Sequence, residues 1–313
     1  MTIRQTIGNV ATQGRLAQLL PAGVRNRAFR MLINDLTRQA KQRANSQQIF
    51  GTAPVRCDRR SSLKVASLVS AQDIEMLLWC LKSLFYFSES PWDLWILDGG
   101  LNSTDIELLK KHFPECHICA EPALTATLHP YLARYPEVRA FRKYLKLAKK
   151  LIDAPLLVQN HKFLLLDSDV LFFAKPVQLI EHLRQDKMNR FAFNMEQGKI
   201  NSGVAVVPPC RVSLDRIERI LQSMPLSLKQ QFWTEQEIYT SIAQNCYDQL
   251  ADSYAVEPVP PSAYSKLVSC HFISTVRHRF FEHGIEQVRS SGFAEALPPR
   301  VIRGRRTLRD QYP

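Results

Sequence analysis

The stretch FLLLDSDVLFF, Phe163 to Phe173, sets two carboxylates, Asp167 and Asp169, one residue apart between apolar runs. In an extended chain their side chains share a face, with Cα atoms about 7 Å apart. Two carboxylates aimed at one point are costly unless a cation or strong donors meet them. A divalent ion answers that need. Mg2+ or Mn2+ takes one or two carboxylates and completes its shell with water and phosphate oxygens, so the pair implies a diphosphate ligand. The bland alternative is that Asp169 caps a turn while Asp167 pairs with an arginine.

The elements around the pair follow a regular grammar. KVASLVS reads as a strand from Lys64, AQDIEMLLWCLKSLFYF as a helix, DLWILDGG as a second strand, NSTDIELLKKHF as a capped helix and HICA as a short third strand. A helical region from about Pro136 to Ile152 leads into the strand at Lys162 to Leu166. Alternation of this kind predicts an α/β fold, a mostly parallel sheet flanked by helices with ligands at the carboxyl ends of the strands. Beyond it, KINSGVAVVP reads as a strand entered through a polar turn, SLDRIERILQSM and FWTEQEIYTSIAQN as helices, AVEPVPPSAY as a loop and LVSCHFIS as a last strand.

Charge separates the ends from the middle. The chain of 313 residues carries a formal net charge of +12. Residues 1–64 hold 12 Lys and Arg against 2 acids and residues 300–313 hold 5 against 1, while 65–299 have 24 against 26. The expected organisation is a basic helical N-terminal extension over 1–60, an α/β domain over 61–290 and a basic tail over 291–313. The first segment, divided at Pro21 and Gly23, packs on the domain or serves as an amphipathic surface for anionic lipid or a partner. No apolar run approaches the ~20 residues of a membrane-spanning helix, and MTIRQTIGNV lacks a signal-peptide core. The location expected is cytoplasmic, with peripheral contact to an anionic membrane. Seven cysteines without regular spacing suggest no disulfide framework. Cys116 and Cys119 spell CxxC, but a strand would turn their thiols to opposite faces.

The apolar run before Asp167, its place after three strand–helix units and the sequel FFAKPVQLI resemble the DxD strand of GT-A glycosyltransferases, over roughly residues 64 to 285. That resemblance implies a GT-A, Rossmann-like fold, with metal and nucleotide-sugar diphosphate held at Asp167 and Asp169. KVASLVS and DLWILDGG look like the family's nucleotide-binding half, which implies Ser70 and Asp98 at base and ribose; Asp98 reads equally well as the acid of an Asp98-Gly99-Gly100 turn. INSGVAVVP resembles the FNSGV segment of family 8-like retaining enzymes and implies Asn201 near the donor sugar, with Gly203 allowing close approach of the backbone to the ligand. Alone, Asn201-Ser202-Gly203 is also a good strand-entry turn. WTEQEIYTSI resembles the family's Asp-Gln-Asp helix start, with Glu235, Gln236 and Glu237 in those places; Glu235 is the candidate sugar-contacting acid or base. Acids at a helix start are also favoured by the dipole alone. CHFISTVRHRFF resembles the late His of the metal site, which implies His271 as third ligand and Arg277 or Arg279 for phosphate charge. The family's Lys-Pro-Trp after that His is missing here. FRKYLKLAKK places Arg142 and Lys146 four apart on one helical face, where the family often has a donor-binding Arg; a solvated basic face is the alternative.

The function these readings imply is metal-dependent transfer of a sugar, hexosyl by analogy, from a nucleotide-diphosphate donor to an acceptor hydroxyl. Mn2+ or Mg2+ is the cofactor, a lipid-linked or polysaccharide acceptor the partner, and nucleic acid is not expected. LLLDSDVL also fits the hhhhDxDxV pattern of haloacid-dehalogenase-type phosphatases, with Asp167 as nucleophile. That fold needs a later acidic pair, and the Asp residues after 169 stand alone at 186, 215, 248, 252 and 310. The remaining alternative is a non-catalytic protein whose basic ends hold nucleic acid or membrane.

Overall fold

The computed structural model describes residues 43, 45–159, 161–185, 189–244 and 246–296. The expected N-terminal amphipathic helices lie almost wholly outside the described residues, as does the basic tail beyond 296. The chain divides into two units, Met1–Gln47 and Gln48–Pro313. In the first, residues 43 and 45–47 are helical; the second contains the sheet and the site.

The sheet begins as the sequence predicts, with β1 (Lys64–Val69), α1 (Ile74–Ser88), β2 (Asp93–Asp98), α2 (Ser103–His112) and β3 (His117–Cys119). A reciprocal capping box between Asn102 and Asp105 fixes the start of α2. Then come α3 (Glu121–Leu132), α4 (Pro136–Tyr144) and α5 (Ala148–Val158). The single helical region expected from Pro136 to Ile152 is therefore two helices. Leu145 is extended at φ −115° and ψ 110°, which stops α4. Residues eleven apart in one helix would be about 16 Å distant. The break instead folds the chain back so that Arg142 makes a bidentate pair with Asp153 at 2.8 Å.

The rest comprises β4 (Phe163–Leu166), β5 (Val170–Phe172), α6 (Val177–Arg184), β6 (Phe191–Glu196) and β7 (Lys199–Val207). After them come α7 (Leu214–Ser223), α8 (Leu226–Lys229), α9 (Thr234–Ala243), β8 (Tyr247–Gln249), β9 (Tyr254–Val256), β10 (Ser269–His271) and α10 (Ile285–Ser290). Seven strands form one sheet in the order β3-β2-β1-β4-β7-β6-β8, and β5, β10 and β9 form a small second sheet. Strands β3, β2, β1 and β4 are mutually parallel, whereas β7 runs against both β4 and β6. A hairpin at Gln197 and Gly198, both with positive φ (50° and 79°), joins β6 to β7.

The central strands are apolar on both sides because both faces of the sheet are covered. Leu164, Leu166, Val204 and Val206 pack with α1 and the small sheet, while Phe163, Leu165, Ala205 and Val207 pack with α5, α7 and α9. Among the described residues no helix is long and apolar enough to cross a membrane.

Candidate metal centre and active site

Asp167, Ser168 and Asp169 form the turn between β4 and β5 rather than the end of a straight strand. The two carboxylates still converge, but strand alternation is not the reason. The antiparallel pairing of β5 with β10 sets His271 opposite Val170, and Phe272 N donates to Asp169 O at 2.9 Å. Asp167 N donates to Gly203 O at 2.9 Å, tying the same turn to β7. One ligand atom each from Asp167, Asp169 and His271 lie within 4.8 Å of one another. His271 Nε2 is 3.1 Å from Asp169 Oδ1 and 3.8 Å from Asp167 Oδ2.

The imidazole is held from behind. His271 Nδ1 lies 2.9 Å from Asn201 Oδ1. That oxygen also accepts from Gly203 N at 2.8 Å, while Asn201 Nδ2 donates to Glu196 Oε2 at 2.8 Å, which fixes the amide orientation. Nδ1 must therefore carry the proton and donate. In the neutral ring Nε2 then presents a lone pair to two carboxylate oxygens, an arrangement that needs either a second proton or a cation between them. Asp-Asp-His is thus a donor set that fits a divalent ion, and cis ligands of an octahedral ion with ~2.1 Å bonds sit about 3 Å apart. Gly203 lies against the ring: a Cβ there would be 2.2 Å from Nδ1. The glycine makes room for the histidine.

Two cations hold the carboxylates from outside, Lys150 donating also to Asp167 Oδ2 at 3.1 Å. Arg277 bridges Asp169 Oδ2 (Nη2 at 2.9 Å) and Asp73 Oδ1 (Nη1 at 3.1 Å). Lys150 Nζ lies 2.8 Å from Asp167 Oδ1, donates to Ser202 Oγ at 3.0 Å and stands 3.7 Å from Glu235 Oε1. Burial would raise Asp169, but His271 and Arg277 outweigh it and hold the carboxyl below its usual range. Burial would lower His271 and Lys150; the adjoining carboxylates raise both. Burial pushes Glu235 up to about 7 despite Lys150.

These groups line a cavity of about 630 Å3 at the carboxyl ends of β1, β2 and β4, within the size range of small-molecule sites. Of the residues singled out in the sequence, Ser70, Lys146, Asn201, Glu235, Gln236, Arg277 and the three candidate ligands line it. Asn201 and Glu235 are each only 1% exposed. Asn201 orients the imidazole, and Glu235 accepts from Ser202 Oγ at 3.0 Å on the Lys150 side. Ser70 Oγ donates to Asp73 Oδ2 at 2.6 Å.

Asp98, Arg142 and Arg279 are not brought into the cavity. Asp98 accepts from the backbone N–H groups of Gly100, Leu101 and Glu121 at 2.7, 2.7 and 3.0 Å, the turn role. Arg142 is committed to Asp153 and Glu121, and Arg279 to the buried Glu257. The shared helical face for Arg142 and Lys146 fails at the Leu145 break. The cations sent into the cavity by that region are Lys146, which donates to Gly99 O at 2.9 Å, and Lys150. Lys150, four residues beyond Lys146, was the residue to find by periodicity. Asp73 carried no signal beyond its place at a helix start.

No family model matches the sequence, and no curated protein matches it. Among solved structures, an active-site mutant of LgtC superposes with a TM-score of 0.50 at 12% identity, over 76% of this chain and 97% of that one. The fold is GT-A. The galactosyltransferase LgtC in complex with donor and acceptor sugar analogues gives 0.48 at 13% identity, again over 76% and 97%. The glycosyltransferase GlyE of Streptococcus pneumoniae TIGR4 gives 0.47 at 15%, over 76% of this chain and 65% of GlyE. The chain thus spans just under two thirds of GlyE. The GT-A fold explains why the cavity opens where it does, at the carboxyl ends of the parallel strands. Among the described residues the one group of three or more potential metal ligands is Asp167, Asp169 and His271.

Proposed function

We propose that the protein is a metal-dependent glycosyltransferase that moves a sugar, hexosyl by class, from a nucleoside-diphosphate donor to an acceptor hydroxyl. The observation that carries this reading is the His271 ring, whose Nδ1 is committed to Asn201 while Nε2 faces both Asp167 and Asp169. Asp167, Asp169 and His271 would hold the ion, with Mn2+ suiting two carboxylates and an imidazole. Bound there, it supplies Lewis acidity against the charge that develops on the departing diphosphate.

The chain's own side chains do the rest. Arg277 and Lys146, both at the cavity wall, provide cationic donors for phosphate oxygens. Lys150, buried between Asp167, Ser202 and Glu235, positions Asp167. Gln236 is the polar side chain of the α9 start that remains partly exposed in the cavity, and it is assigned to the donor sugar. The acceptor oxygen bonds to the anomeric carbon, the bond from that carbon to the diphosphate breaks, and the hydroxyl proton leaves to the departing phosphate or to water. A membrane-associated acceptor would engage the basic ends, most of whose cationic residues lie outside the described residues.

Thermal unfolding with UDP, GDP, ADP and CMP, each with and without Mn2+, tests the reading, because a ligand of the native state alone raises the midpoint. One diphosphate should raise it only with Mn2+, and Asp169→Asn should abolish the effect. Absence of any nucleotide shift, with Mn2+-dependent hydrolysis of p-nitrophenyl phosphate in its place, would replace the transferase by a phosphatase.

A further inference from the structure

The large apolar side chains exposed on the described surface are not evenly spread. Leu226, Leu228, Phe232 and Trp233, half of them, fall within eight residues that lead into α9. Phe232, 62% exposed, is the one of these that lines the metal-centre cavity. An exposed aromatic ring at the wall of a cavity that also presents carboxylates, an amide and cations is the unusual observation, since a lone exposed apolar residue elsewhere needs no explanation.

The ring has an aromatic neighbour and the backbone that carries it is hydrogen-bonded. Trp233 meets it edge to face, with centroids 4.8 Å apart at 79°. The segment is pinned by Thr234 N donating to Gln231 O at 3.1 Å, and by Gln236 N and Glu237 N donating to Trp233 O at 3.0 and 3.2 Å. An exposed side chain on so constrained a backbone is prepared for a partner at little entropic cost.

Its position restricts what that partner is. The carboxylates of the metal centre stand at the middle of the cavity, at the end of β4. On one side lie the ends of β1 and β2, with Ser70, Asp73 and Gly99; on the other lie Glu196, Gln236 and Phe232. If the diphosphate spans the cations at the centre, one side receives the nucleoside and the other the sugars. Phe232 stands on the side of Gln236. A pyranose offers a polar rim and an apolar C–H face, and a flat aromatic ring beside amide and carboxylate groups matches both.

We propose that Phe232, backed by Trp233, is the platform on which the acceptor's sugar ring lies, so that the acceptor is a saccharide presenting a ring hydroxyl. This rests on the transferase reading and names its acceptor class. The aromatic face recognises the apolar side common to pyranoses, and the polar groups around it select among them.

The test uses saturation-transfer NMR on the full chain, with methyl glucopyranoside, galactopyranoside and mannopyranoside as probes, alongside the nucleotide and Mn2+ thermal shift. Wild type should pass saturation to ring C–H protons of at least one probe. Phe232→Ala should weaken that binding about tenfold or more, Phe232→Tyr should keep it, and the nucleotide shift should be the same in all three. No transfer to any probe in wild type, or equal transfer in Phe232→Ala, would overturn the proposal. Loss of the nucleotide shift in Phe232→Ala would also overturn it, by assigning the ring to the base. With n-octyl glucopyranoside, saturation confined to the alkyl chain would overturn it in favour of a lipid contact through Leu226 and Leu228. Transfer to pyranosides through Phe232 without any nucleotide shift in wild type would keep the sugar platform and remove the transferase reading alone.

Discussion

The contact between Gly203 and His271 is tight enough to predict from. An alanine at 203 would set its Cβ 2.2 Å from His271 Nδ1, 2.3 Å from Cε1 and 2.9 Å from Asn201 Oδ1. Ordinary carbon contacts are about 3.5–4.0 Å, so the ring must retreat by more than ~1 Å. That movement breaks the 2.9 Å contact with Asn201 and turns Nε2 away from the carboxylates. Overpacking of this kind costs roughly 1–3 kcal/mol of stability. Loss of the group that orients a metal-binding imidazole typically weakens metal affinity about 10–100-fold. Gly284→Ala is the steric control, because its Cβ would lie 2.7 Å from both Leu171 Cδ1 and Phe272 Cζ in the apolar core. Urea unfolding should show a similar loss for both variants, while titration of free Mn2+ by electron paramagnetic resonance should show weakened binding for Gly203→Ala alone. If Gly203→Ala binds Mn2+ as tightly as wild type, within about threefold, while losing stability as the control does, His271 is not a ligand positioned by this contact.

Three further outcomes follow from the buried charges. Lys150→Met leaves Asp167 and the buried Glu235 without their cation and should cost about 3 kcal/mol in urea unfolding; adding Glu235→Gln should recover part of it, a coupling read from the double-mutant cycle. Arg142→Met strands Asp153, which is 0% exposed, and should cost about 3–5 kcal/mol while leaving the Mn2+-dependent nucleotide shift intact. A selective loss of that shift would return Arg142 to the donor site. Asp98 is raised by burial but lowered more by three backbone N–H groups and Lys149, so its folded carboxyl lies below its ordinary value. Its contribution is therefore complete above the unfolded value of about 3.9 and disappears as pH falls through the lower folded one. Stability between pH 5 and 3 should fall less steeply in Asp98→Asn than in wild type, and equal slopes would refute the assignment.

The strands were legible because their signals are local. Lys64–Val69, Asp93–Asp98 and Phe163–Leu166 are apolar runs bounded by turn residues, and each forms where expected. Helix α3 was not foreseen: Glu121–Leu132 carries Pro122 and Pro130, with buried residues only at Leu124, Leu128 and Leu132, a thin pattern to read. Strand β6 was missed beside its stronger partner β7. The Leu145 break had no Gly or Pro to announce it. It forms because Arg142 and Asp153 meet only if the chain turns back, which is a tertiary gain that local propensity does not contain.

The sequence by itself determined the alternation of elements, the basic ends, and which side chains had the chemistry for a metal and a diphosphate. Tertiary structure decided which of those side chains meet. Asn201 finds His271 across 70 positions and Asp169 finds Arg277 across 108, because β7 runs against β4 and β10 pairs with β5. Those pairings turn the Asn201-Ser202-Gly203 end of β7 toward the Asp167 turn and draw His271 beside it. The same packing closed Asp98, Arg142 and Arg279 into structural bonds and admitted Lys150 and Asp73. A side chain's type and its neighbours in sequence say what it is able to bind. Which partner it reaches depends on strand order and direction, set by burial of both faces of the sheet together.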